Sequence, residues 1–122
     1  MLVAQLIELV EVLAVGIRVD RARSRRGPDR LLPQLRARGA RSRLRDAAAR
    51  ARLQRVIGVV DRFFPSGGNC YRRALMEIAL DAGAAAEPLH LGLQAHGGPG
   101  SGHAWLGDRS GDPAPYDAEL SL

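Results

Sequence analysis

The 122-residue sequence contains no lysine, one cysteine and only 4% aromatic residues. Each shortage excludes something. A single cysteine rules out an internal disulfide and any zinc site built from several thiolates, and it suits a reducing cytoplasm. With so few rings the core has to be aliphatic, drawn from Leu, Val, Ile and Ala. All eighteen basic residues are arginine; beside abundant Ala and Gly, that composition reflects GC-rich codon usage more than recognition chemistry. Long apolar runs are missing too. Residues 1–17 come nearest, but Glu8 and Glu11 interrupt them, no basic stretch precedes them and no small-residue cleavage site follows. They also fall short of the ~20 apolar residues a spanning helix needs. A cytoplasmic chain that avoids membranes is expected.

What is present is unevenly spread. Fifteen of the eighteen arginines lie between residues 18 and 62, where only four acids accompany them, whereas residues 63–122 hold three arginines and seven acids. The cluster Arg21, Arg23, Arg25 and Arg26 could contact phosphates or carboxylates. No aromatic interleaves it and no nucleic-acid-binding motif accompanies it, so a solvated helix face is the expectation and nucleic acid is not the expected partner.

The chain reads as one domain. Leu2, Leu6, Leu9 and Leu13 mark one face of a first helix, expected to face the core. Gly27-Pro28 and Pro33 break the pattern, leaving Leu31, Leu32 and Leu35 for one short helix. Residues 41–64 form another helix, with Leu44, Ala48, Leu53, Val56, Val60 and Phe63 on its stripe and Pro65 as its stop. A breaker-rich loop, Ser66-Gly67-Gly68, then leads to Asn69 and Cys70. Asn69 is a good N-cap residue, which places Cys70 in the first turn of a helix, where free N–H groups and the dipole favour a thiolate nucleophile. Gly83 is expected to stop that helix, and Arg73 and Glu77 to form an exposed pair on it.

Beyond Gly83 the hydrophobic period falls to two. Leu89, Leu91, Leu93 and Ala95 alternate with His90, Gly92, Gln94 and His96, which predicts a half-buried strand with both histidines on its solvent side. Gly97 to Gly102 form a loop, His103-Ala104-Trp105-Leu106-Gly107 a second strand, and residues 114–122 a third. A turn centred on Ser110 would set His103 opposite Asp117, close enough for the carboxylate to accept the imidazole N–H, with Trp105 on the same face as a cover. Asp112 is the runner-up acid. The spacing of Cys70, His90, His96 and His103 matches no common zinc pattern, so neither metal nor cofactor is expected.

Gly-Gly-Asn-Cys70 at a helix start, His103-Ala104-Trp105 on a strand and Asp117 on the next resemble the transglutaminase-like branch of papain-type cysteine enzymes. More narrowly, Cys70-Tyr71-Arg72-Arg73-Ala74-Leu75, the Ala82–Glu87 stretch and the His103 triplet resemble the leader-peptide proteases of lasso-peptide biosynthesis. That resemblance covers residues 53–119. It implies a Cys70–His103–Asp117 triad, the Cys70 N–H as an oxyanion donor with Asn69 as a candidate second, and a thioester intermediate. It also implies partners: a precursor peptide, a separate leader-recognition protein and an ATP-dependent cyclase.

The expected fold is α+β. N-terminal, Arg-rich helices over residues 1–64 pack on a catalytic core over residues 65–122, in which the Cys70 helix lies on a small antiparallel sheet. The expected activity is a cysteine peptidase that removes a leader peptide. The alternatives are an acyltransferase that uses the same thioester, and an Arg-rich binding module in which Cys70 is inert.

Overall fold

Helix α4 (Cys70–Leu80) is central, and residues 74–80 along it are all buried. A helix with no solvent face needs neighbours on every side. It has them in α1 (Leu2–Arg23), α2 (Pro28–Ala40), α3 (Ala47–Arg62), the short α5 (Ala82–Ala85) and strand β2 (His103–Leu106). Strand β1 (Leu89–Leu93) precedes β2, and β3 (Ala118–Ser121) closes the chain. This computed structural model describes residues 2–65, 67–93, 102–107 and 118–122. The architecture is α+β, helices with a three-stranded antiparallel sheet, as expected. Among the described residues no helix is long and apolar enough to cross a membrane.

Helix α1 corrects the expected orientation. Its inward residues are Val12, Val15, Gly16 and Val19 with Glu8, while Leu2, Leu6, Leu9 and Leu13 face solvent. The cause is closeness. A Cβ on Gly16 would stand 3.0 Å from the Met76 methyl and 3.2 Å from the Phe64 ring, so only small and β-branched side chains fit against α4. Glu8 is tolerated inside because Arg45 and Arg52 pair with it, at 3.0 and 3.3 Å.

Helix α2 begins where a break was expected. Pro28 occupies the first turn, where its missing N–H costs nothing, and Pro33 is accommodated further in. Near its end the chain nearly touches α4: a Cβ on Gly39 would lie 1.8 Å from the Ile78 carbonyl oxygen. Helix α3 starts later than expected, at Ala47, because the Asp46 carboxylate accepts the Ala49 N–H and caps it there. It buries Leu53, Ile57 and Val60, whereas Leu44 and Phe63 lie beyond its ends and are exposed.

The stop of α4 is Asp81 rather than Gly83. Asp81 takes an extended backbone, φ −137° and ψ 121°, and its carboxylate accepts the Gly83 N–H to start α5. The sheet order is β2-β1-β3, so β2 and β3 are not the hairpin that the turn at Ser110 would make. Strand β1 pairs with both, Gly92 standing opposite His103 on one side and Glu119 on the other. The central place goes to the strand with the buried leucine, Leu89, and among the described residues β2 lies at an edge.

Candidate active site

The loop before α4 is held by one buried ion pair. Asp61, the penultimate residue of α3, and Arg72, in the first turn of α4, are both fully buried. The Arg72 guanidinium donates to the Asp61 carboxylate and, through its other nitrogens, to the Asp61 carbonyl (3.0 Å), the Gly67 carbonyl (2.6 Å) and Asp20 (3.0 Å). It also lies 4.3 Å over the Phe64 ring centroid. The second Asp61 oxygen accepts the Asn69 N–H at 2.8 Å and Arg73 at 3.0 Å. One carboxylate and one guanidinium thus fix both ends of the segment that delivers the thiol. Gly67 supplies its turn at φ 69°, a conformation that L side chains rarely adopt.

Asn69 caps α4 as expected, accepting the Arg72 N–H at 3.0 Å, and Cys70 is the first helical residue. The Asn69 carbonyl accepts from Arg73 N–H. The N–H groups of Cys70 and Tyr71 are therefore the helix-start donors without an intrahelical partner, aimed out of the helix end. Asn69 itself does not line the cleft described next; its side chain is used as the cap.

The outer edge of β2 meets the sulfur. Gly107 N–H bonds the Pro88 carbonyl, and in an antiparallel ladder of that register the N–H of Ala104 points away from β1. Cys70 Sγ accepts it at 3.3 Å.

Cys70 and His103 line one cleft of about 270 Å³, with Trp105, Arg50, Gln54 and Glu77 also on its walls. Ala104 is buried and His103, one residue earlier, is exposed, so their side chains leave β2 on opposite faces of the sheet. Its ring stacks on Trp105, centroids 5.6 Å apart and planes 18° apart; Trp105 stacks in turn on His90 at 5.3 Å and 25°. Trp105 shares the face of His103, and His90 is part of that stack, with Nδ1 2.7 Å from Ser121 Oγ. Asp117, Asp112 and His96 lie outside the described residues. The strand pairing that placed Asp117 opposite His103 is replaced: across β1, the position in the row of His103 belongs to Glu119, with Gly92 between.

The polar wall of the cleft has no periodic signal in the sequence. Glu77 is buried and accepts from Arg50 (3.0 Å) and Gln54 (2.7 Å), so it does not pair with Arg73. Arg50 also pairs with Glu87 and with Asp81. The Glu87 hydrogen bond foremost, then Glu77, holds the guanidinium pKa above its ordinary value against the opposing effect of burial. Among the described residues no three His, Cys, Asp or Glu side chains gather as a metal would require.

The model of the Transglutaminase-like superfamily matches residues 13–118. No curated protein and no solved structure matches the sequence. The family match runs from the middle of α1 through the thiol helix to the start of β3, so it includes most of the helical front as well as the cleft. On that span, the chain belongs to the transglutaminase-like superfamily, which includes cysteine peptidases and acyltransferases.

Proposed function

We propose that the protein is a cysteine peptidase that cuts the leader from a ribosomally made, lasso-type precursor peptide. The observation that carries the reading is the thiol at a helix start, hydrogen-bonded by Ala104 N–H, in a cleft shared with His103. His103 takes the Cys70 proton, and the sulfur attacks the carbonyl carbon of the scissile amide. The oxyanion takes hydrogen bonds from the free N–H groups at the α4 start, each worth about 3 kcal/mol in a transition state. The C–N bond breaks as His103 returns the proton to the leaving amine, which leaves a thioester on Cys70. Water then attacks the thioester, the carboxylate product departs and the thiol is restored. Trp105 holds the imidazole plane by stacking on it, and Asp117 steadies its tautomer.

In this proposal a separate leader-recognition protein presents the precursor, and an ATP-dependent cyclase consumes the product, all in the cytoplasm. The test is mass spectrometry of a candidate precursor incubated with the protein and those partners, with and without an added primary amine. Cleavage that takes up one water and vanishes in Cys70→Ala and His103→Ala supports peptidase action. Amine incorporation in place of water would make the protein an acyltransferase. A thiol that iodoacetamide modifies at pH 6 no faster in the wild type than in His103→Ala would overturn both.

A further inference from the structure

A groove on the other helices is lined differently from the thiol cleft and shares no residue with it. It runs between α1 and α2, with a volume of about 460 Å³. Its floor is aliphatic, made by Val15, Val19, Leu31 and Leu35. Its rims carry Arg18, Arg21, Arg25, Arg38 and Arg41, all exposed, and among the described residues no carboxylate lines it. Among the described residues none of these five arginines makes an ion pair. Arg38 and Arg41 also line a second cavity of about 570 Å³ that reaches Ile7, next to the solvent-facing leucines of α1. From Ile7 to Ala22 the helix rises about 22 Å, the length of a helix of roughly fifteen residues.

The chemistry of an occupant follows from floor and rims together. Concave aliphatic surface between two helices accepts the apolar stripe of a third. Unpaired guanidinium groups on both rims call for carboxylates flanking that stripe. Nucleic acid would leave the aliphatic floor unused, and among the described residues the lining has no ring on which a base could stack. A flat bilayer surface has no ridge to enter the groove. Among the described residues a second copy of this chain is a poor source of carboxylates, because Glu8, Glu11, Asp20, Asp61, Glu77, Asp81 and Glu87 are already paired. We propose that the groove docks an acidic amphipathic helix of a separate protein. The docking does not depend on the thiol being catalytic, and Cys70→Ala retains it.

The test uses the full chain and a fluorescein-labelled helical peptide of about sixteen residues, with Leu at i, i+3, i+4 and i+7 and Glu flanking that stripe. Fluorescence anisotropy at about 150 mM salt should give a micromolar Kd, at least about tenfold weaker for a scrambled peptide of equal composition. Arg21→Glu/Arg25→Glu/Arg38→Glu should lose about tenfold or more, whereas Arg30→Glu/Arg55→Glu/Arg62→Glu, an equal charge change away from the groove, stays within about twofold. Gln34→Trp, which fills the groove and leaves its charge alone, should also block the peptide, and it serves if the triple variant does not fold. Equal losses in the two triple variants, or equal binding of the scrambled peptide, would overturn the proposal. So would tighter binding of duplex DNA or of phosphatidylglycerol vesicles than of the helical peptide. Self-association abolished by Gln34→Trp, with no peptide binding, would overturn it in favour of a homodimer.

Discussion

Arg72 lies two residues past the thiol and has no contact with solvent. Its value depends on Asp61: deleting one partner of a buried pair strands the other charge, at a cost of about 3–5 kcal/mol. Asp61→Ala should therefore lower the urea midpoint strongly and slow alkylation of Cys70, since Asn69 N–H and Arg73 lose their acceptor as well. Asp61→Leu/Arg72→Met should recover much of the stability but not the alkylation rate, because the hydrogen bonds to Gly67 and Asn69 stay lost. If rate and stability recover together, the pair is only structural. Tyr71 is the opposite case. Its hydroxyl is buried and has no hydrogen-bond partner among the described residues. Burial raises the phenol pKa, and the charge of Arg23 only partly offsets it. The folded state thus keeps the proton to higher pH than the unfolded chain does. That contribution to stability is complete below about pH 10 and is lost as pH rises through the folded value. Tyr71→Phe should be as stable as the wild type at pH 7, or up to about 1 kcal/mol more so, and should flatten the alkaline limb of a stability–pH curve.

Glycine decides how near the elements come to each other. Gly39 lets α2 approach the Ile78 carbonyl, whereas a Cβ on Gly58, within α3, would meet nothing within 4 Å. Gly39→Ala should cost about 3 kcal/mol or more, and Gly58→Ala should gain about 0.5–1 kcal/mol from helix propensity. Thermal melts of the two variants check both signs, and a near-neutral Gly39→Ala would mean that α2 sits farther from α4. These contacts also show where sequence reading stops. The Asn69 cap, the Cys70 helix start and the Leu89–Leu91 alternation were legible because each is a local rule about neighbours along one chain. The facing of α1 was not. Leucines and valines surround that helix, so periodicity offered two faces, and the choice was made by the Met76 and Phe64 surfaces it had to meet. Strand order failed for a similar reason: alternation marks a strand's faces, but says nothing about which strand lies at an edge. The Asp61–Arg72 pair joins residues eleven apart on two helices, and no spacing rule points to it.

Across the whole molecule, arginine joins elements that hydrophobic burial alone would leave loosely related. Arg36 on α2 donates to the Ala85 and Glu87 carbonyls, each at 2.7 Å, and to the Leu122 carbonyl at 2.8 Å, tying the last residue to the helices. Arg45 and Arg52 hold α1 through Glu8, and Arg50 gathers Glu77, Asp81 and Glu87. The arginine links to Glu8, Glu77, Asp81 and Glu87 join opposite charges, as do those to Asp20, where the sign of the pH dependence is fixed. Burial pushes the Asp20 carboxyl up, but hydrogen bonds from Arg23 and Arg72, with their charges, outweigh it and hold the pKa below the usual carboxylate value. The unfolded chain then binds a proton before the folded one does. The contribution is complete above the unfolded value near pH 3.8 and is lost as pH falls through the lower folded value. Asp20 is partly exposed, so the effect is a modest share of the total. Asp20→Asn should be somewhat less stable at pH 7, and its deficit should shrink as pH falls below about 4. Urea denaturation at pH 7 and pH 3 reads this directly. A deficit of the same size at both would mean that the link between α1 and α4 through Asp20 and Arg72 owes nothing to the charge.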